Sequence, residues 1–350
     1  MDDPLSAVSR CPPELWCKII SFVYKNRSFL NTAALSLVSK SFKELSEPIR
    51  MQTIHLSLPV TSRDRLDQFL MALQGGTRPT TTNNYRSVQN LFLHLHNPSD
   101  PTTRFHSDGF AEGFEDGVVD MLNLLSPALT KLAIFLGPNT SLPRLRHPHT
   151  TGFYASINPN PRTNVNLAHL QDLSFHISVA NPASQTHPYM PIFPSLRRLT
   201  LSYGDTIQEE FLANAILYDI FEFAPLLVRL RLIARKGSLP QPDVLAKVLG
   251  LEDPSEDVGS TDRVRDDELV LPETLEELYL GWIDSEPQWF LGLAITDPVS
   301  ADGWTFEDLL NPESHGTGKI KVVVEHLRHL RNSRGAPFSL KQALNEFLGE

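Results

Sequence analysis

Apolar residues recur along this chain in a unit of the form L-x-x-L-x-L. The unit reads Met51-Gln52-Thr53-Ile54-His55-Leu56, then Val88 to Leu93, Leu129 to Ile134 and Leu170 to Phe175. It returns as Leu196 to Leu201, Leu227 to Leu232 and Leu275 to Leu280. Its second half alternates apolar and polar with period two, the pattern of a strand with one buried face. Four units follow a proline closely, at Pro127, Pro194, Pro225 and Pro272. Between units the spacing turns helical. Leu66, Phe69, Leu70 and Leu73 form one stripe, Phe211, Ala215, Leu217, Ile220 and Phe221 another, and Val118 to Leu125 a candidate third.

Strand then helix, repeated, predicts parallel strands joined by crossovers, because a parallel neighbour cannot be reached by a tight turn. Recurrence of one unit predicts a solenoid. Successive units begin 26 (Leu170 to Leu196) to 48 (Leu227 to Leu275) residues apart. Regular leucine-rich repeats are shorter, at roughly 20–29 residues. The expected fold is therefore α/β, an irregular leucine-rich-repeat-like region over 51–335 with parallel strands. Its polar insertions are expected at 75–86, 138–164 and 251–267, the last acidic and a candidate for disorder.

The ends differ. Residues 10–50 are dense in apolar positions at helical spacing, and Pro12-Pro13-Glu14 opens the segment, proline being tolerated in the first helical turn. Leu15, Ile19 and Phe22 make one stripe and Trp16, Ile20 and Val23 a second beside it, so this helix is apolar on more than one side. A second short helix carries Ala33, Ala34, Leu35, Leu37 and Val38. A third carries Phe42 and Leu45 and stops before Pro48. At the other end, residues 319–325 fit both a last strand and a helix. Residues 336–350 predict a closing amphipathic helix with Ser339 as N-cap and Leu340, Ala343, Leu344, Phe347 and Leu348 on its apolar face.

Composition narrows the function classes. Over 350 residues, 41% are hydrophobic and 21% charged, a globular balance. The formal net charge of -10 disfavours nucleic acid and anionic membrane surfaces as partners. Cys11 and Cys17 stand alone and build no disulfide framework or cysteine zinc site, as in a reducing compartment. Met1 to Arg10 is polar and acidic, unlike a secretory signal, and no apolar run approaches membrane-spanning length. A soluble protein of the cytoplasm, the nucleus or both is expected.

The N-terminal residues carry a family resemblance. Cys11-Pro12-Pro13-Glu14-Leu15-Trp16, Ile19-Ile20, Phe22-Val23, Leu35-Ser36-Leu37-Val38-Ser39-Lys40 and Phe42 resemble the F-box, and in particular the F-box proteins of mushroom-type fungi with their loose leucine-rich repeats and proline-rich insertions. The match spans about 40 of 350 residues. It departs from the pattern in Cys11 where leucine is usual, in a longer polar link over Lys25 to Asn31, and in Phe42 where tryptophan is commoner. The resemblance implies a three-helix module and a non-catalytic subunit of a cullin-type (SCF) ubiquitin ligase. Pro12, Leu15, Ile19, Leu37, Val38 and Phe42 would then serve adaptor binding, and the repeats would hold a protein client. Two plainer readings stand beside it: a cap for the end of the solenoid, and a repeat scaffold that binds no ligase adaptor.

Other chemistry is sparse. His94 and His96 form an H-x-H that puts two imidazoles on one strand face, but His147, His149, His176 and His187 sit in unrelated contexts, and no metal or cofactor is expected. Asp297, Asp302, Glu307 and Asp308 lack calcium-loop spacing. No phosphate loop, G-x-S-x-G or H-E-x-x-H occurs, so no catalytic residue is assigned. Strand parity points Phe92, His94, Phe135, His176, Arg198, Ser202, Arg229, Arg231, Ile233 and Tyr279 away from the leucine core, onto a face expected to be exposed. Phe92, Phe135, Arg198, Arg229, Arg231 and Tyr279 are the candidate client-binding residues, aromatics and arginines being enriched at interfaces. The three arginines call for an opposing charge, either within the chain, with Asp172 or the 251–267 loop as candidates, or on a client.

Overall fold

The computed structural model describes residues 12, 14–16, 18–20, 46, 52–74, 88–98, 111, 113–137, 140, 165, 167–177, 193–203, 224–235, 245, 273–283, 320–326 and 340–348. They form one eight-stranded, all-parallel sheet with helices packed on it, an α/β arrangement. The strands are β1 (Thr53–Pro59), β2 (Asn90–His96), β3 (Lys131–Leu136), β4 (Asp172–Ile177), β5 (Arg198–Tyr203), β6 (Arg229–Arg235), β7 (Glu277–Ile283) and β8 (Lys321–His326). They pair in chain order, each beside its predecessor. All seven L-x-x-L-x-L units supply strands, as their period demands. The eighth strand resolves the ambiguity at 319–325 in favour of a strand.

Register explains why the leucines recur. Leu91, Leu132, Leu173, Leu199, Leu230 and Leu278 are aligned across neighbouring strands, and Leu93, Ile134, Phe175, Leu201, Leu232 and Leu280 form the next column. Each column is a continuous apolar ridge, so a slip by one residue would turn a whole strand inside out. The residue before each of β2 to β7, and the first residue of β8, extend the pairing. Backbone N–H groups of Gln89, Thr130, Gln171, Arg197, Val228, Glu276 and Lys321 each donate to a carbonyl of the preceding unit, at 2.8–2.9 Å.

The prolines ahead of the units have a local reason. Leu196 donates its N–H to the Phe193 carbonyl, and Leu227 donates to that of Ala224, both at 3.1 Å. These are four-residue turns with Pro194 and Pro225 in the second position, where a fixed φ near −65° is already the turn's own value. Each turn delivers a buried leucine to the head of its strand.

Two helices cover the leucine face, α1 (Asp64–Leu73) between β1 and β2 and α2 (Phe114–Leu125) between β2 and β3. Leu66, Leu70 and Leu73 of α1 and Phe114, Val118, Met121, Leu122 and Leu125 of α2 join the same core as the leucine columns. Arg63 ties the two together, donating to Asp67 at 2.8 Å and to the Gly113 carbonyl at 3.0 Å. Gly113 sits at φ 69°, a left-handed value that favours glycine. At Gly117 a Cβ would lie 2.8 Å from Leu66 Cδ2, so glycine permits the close approach of the helices.

The opposite face departs from expectation. Parity holds, but Phe92, Ala133, Phe135 and Ile233 are buried there instead of exposed. They pack with Ala343 and Phe347 of α3 (Leu340–Leu348), the expected closing helix, in a second apolar cluster. A parallel sheet covered on both faces reads as nearly continuous burial, as β3 does. The stripe at 211–221 and the insertions at 75–86 and 251–267 lie outside the described residues. So does 138–164 apart from Thr140, and so does Ser339.

Candidate interaction surfaces

Two surfaces carry the candidate residues. The first is the N-terminal segment, where residues 14–16 and 18–20 are helical. The Pro12 carbonyl accepts from the backbone N–H of Leu15 at 3.0 Å and of Trp16 at 3.3 Å, so proline stands where the first turn closes. Within the described part of the stripes, Ile20 is fully buried and Trp16 half-buried, whereas Leu15 and Ile19 are 48% and 47% exposed. Four residues apart, Leu15 and Ile19 share one helix face. Leu37, Val38 and Phe42 lie outside the described residues.

The second surface is the sheet face under α3, which is built from three aligned rows. The first row runs Thr53, Asn90, Lys131, Asp172, Arg198, Arg229, Glu277 and Lys321 across all eight strands. Arg198 and Arg229 are cross-strand neighbours, an unfavourable like-charge pairing by itself. Each turns instead to the carboxylate on its other side. Arg198 grips Asp172 through two nitrogens, the Nη2–Oδ2 bond being 2.6 Å. Arg229 meets Glu277 at 2.9 Å. Donating to the Asp172 carboxylate holds the Arg198 pKa above its ordinary value. Both arginine side chains remain largely exposed, at 57% and 60%.

The middle row holds His55, Phe92, Ala133, Ser174, Thr200, Arg231, Tyr279 and Val323. Its centre is small, which lets a helix approach the sheet. Phe347 of α3 meets Phe92 edge-on, with ring centroids 5.5 Å apart. The Lys131 ammonium lies 4.6 Å from the Phe347 ring centre and donates to the Phe347 carbonyl. It thus answers the negative C-terminal end of α3. Burial nonetheless pushes the Lys131 pKa down, with the Asp172 carboxylate opposing. Arg231 forms an ion pair with Glu346 and lies 4.7 Å over the Tyr279 ring. All three arginines are therefore answered within the chain, the first of the two outcomes open from the sequence. For Arg198 the partner is Asp172, the candidate named there. Of the candidate client-binding residues, Phe92 and Phe135 are enclosed, Arg231 and Tyr279 are engaged, and only Arg198 and Arg229 face solvent.

The third row carries His94 and His176, and His96 follows two residues after His94. His94 and His96 lie on one face as their spacing predicts, stacked at 4.8 Å, and are partly buried rather than exposed. Ser57 Oγ is 3.0 Å from His94 Nδ1 and 3.4 Å from His96 Nδ1. Burial, then the neighbouring His96 and His55, lowers the His94 pKa to about 4. Burial likewise drives His176 to about 3, Arg231 adding to the effect. The His94 and His176 rings are therefore neutral at pH 7 and serve as packing groups. Among the described residues no group of three or more His, Cys, Asp or Glu is placed to hold a metal ion, and no helix is long and apolar enough to cross a membrane.

Sequence reasoning missed Glu346 and the seat of Phe347. A signal was present in Phe92, Phe135 and Ile233, three large apolar residues at the parity assigned to solvent. No family model and no curated protein matches this sequence.

Proposed function

We propose that this chain is a non-catalytic substrate receptor of a cullin-type ubiquitin ligase, with residues 10–50 as a three-helix F-box module and the sheet as part of an irregular leucine-rich-repeat solenoid that holds a protein client. The observation that carries the reading is the exposed pair Leu15 and Ile19 on a helical segment where the neighbouring Ile20 is fully buried. Two apolar side chains on one face, one turn apart, suit docking onto a helical adaptor. Enclosing their exposed halves contributes about 1 kcal/mol each. The eight parallel strands in chain order support the repeat half of the proposal, since stacked repeats bring successive strands side by side.

Replacing Leu15 and Ile19 together by Asp tests it. Two carboxylates in that contact lose the apolar burial and must shed their hydration without partners. The wild-type chain should co-purify with an SCF adaptor and its cullin, and the double variant should lose both while its thermal transition stays within a few degrees. A wild-type chain that brings down no adaptor supports the alternative, a repeat scaffold outside the ligase.

A further inference from the structure

The face under α3 is a groove with an occupant, and the occupant describes what the groove accepts. Phe347 enters against Phe92 beside the Lys131 ammonium, while the adjacent Glu346 reaches Arg231 on β6. Ala343, four residues before Phe347, is fully buried in the same cluster, and Leu344 and Leu340 pack along it. The helix has only nine residues. Helices this short are marginal alone in water, so the sheet face stabilises α3 rather than the reverse.

The fit is incomplete. Glu346 Oε2 is buried with no hydrogen-bond partner among the described residues, though its other oxygen pairs with Arg231. The Ser202 hydroxyl, in the same row as Phe135 and Ile233, is also buried without one. Native cores leave few such atoms. An internal ligand that leaves polar atoms unanswered is open to replacement by one that answers them.

We propose that this face is a docking groove for a short amphipathic helix of another protein, and that α3 is its displaceable internal occupant. The recognised helix carries a carboxylate directly before an aromatic residue, with apolar or small residues three, four and seven positions before the aromatic. The carboxylate meets Arg231, the aromatic meets Phe92 and Lys131, and the smaller residues lie along Ala133, Phe135 and Ile233. The biological role, client capture, rests on the receptor reading above. The groove itself is testable without any adaptor, so the two can fail separately.

The probe is a fluorescent peptide of residues 336–350, titrated into the 350-residue chain. A tethered helix competes at an effective concentration in the millimolar range, so the wild-type chain should bind the peptide weakly. Phe347→Ala in the chain should release α3 and tighten peptide binding at least tenfold. Should that variant not fold, a charge exchange reads the same groove. The Arg231→Glu chain repels its own Glu346 and should bind a peptide carrying Glu346→Arg at least tenfold more tightly than the unmodified peptide. An Arg231→Glu/Glu346→Arg chain, whose internal pair is restored with the signs exchanged, should bind that peptide more weakly than Arg231→Glu alone does. Equal binding of both peptides by a folded Arg231→Glu chain overturns the proposal. A wild-type dimer in sedimentation that Arg231→Glu dissolves also overturns it, because the groove then belongs to a second copy of this chain.

Discussion

Replacing Phe347 by Ala should detach α3 and leave the sheet standing. Phe347 is almost completely buried, meets Phe92 edge-on and sits beneath the Lys131 ammonium. Deleting a buried phenylalanine from a closed core costs about 3–5 kcal/mol. Here the lower figure applies, because a peripheral helix can move off instead of leaving a cavity. A loss of about 3 kcal/mol in docking shifts the opening equilibrium of α3 roughly 150-fold. Hydrogen exchange read by fragment should therefore show faster exchange across 340–348, by up to about two orders of magnitude. Strands β3 and β4 should keep their protection, since the leucine columns and α2 form a separate cluster on the other face. If β3 and β4 accelerate in step with α3, the helix and sheet unfold as one unit, and the picture of a separable occupant is wrong.

Three further outcomes follow from the packing and charges. Phe175→Ala removes a nearly buried ring from the leucine core and should destabilise the chain by about 4 kcal/mol in chemical denaturation. A double-mutant cycle on Arg198 and Asp172 should give less than about 1 kcal/mol of coupling, because Arg198 is largely exposed and solvent screens the pair. His176, with its folded pKa lowered from 6.5 to about 3, stays neutral in the fold while the unfolded chain takes up a proton below pH 6.5. Stability should fall as pH drops from about 6.5 toward 3, and His176→Leu should move the midpoint of acid unfolding to lower pH.

The strands were legible because their apolar period is two and each unit repeats it, so Leu199 and Leu230 announce both a strand and its inward face. Stretch 321–326 was harder, since Val322, Val323 and Val324 are consecutive and give no alternation to separate strand from helix. Helices α1, α2 and α3 showed their apolar stripes, but a stripe does not say which surface it meets. Parity alone assigned Phe92 and Phe135 to solvent. Only the return of the chain's last helix to that face, 216 residues on from Lys131 to Phe347, explains why they are aromatic. At the N-terminus the two adjacent stripes were visible, and the division between Ile20 inside and Leu15 with Ile19 outside needed three dimensions. The charges were half legible: the sequence offered Asp172 for Arg198, whereas Glu277 for Arg229 depends on register and Glu346 for Arg231 on the position of α3.

Adaptor binding is the central contact, and calorimetric titration of the 350-residue chain with a purified SCF adaptor measures it. The predicted result is saturable one-to-one binding with a negative heat-capacity change, as apolar burial requires, weakened at least a hundredfold by Leu15→Asp with Ile19→Asp. No heat from the wild-type chain, or an unchanged isotherm for the double variant, would contradict it.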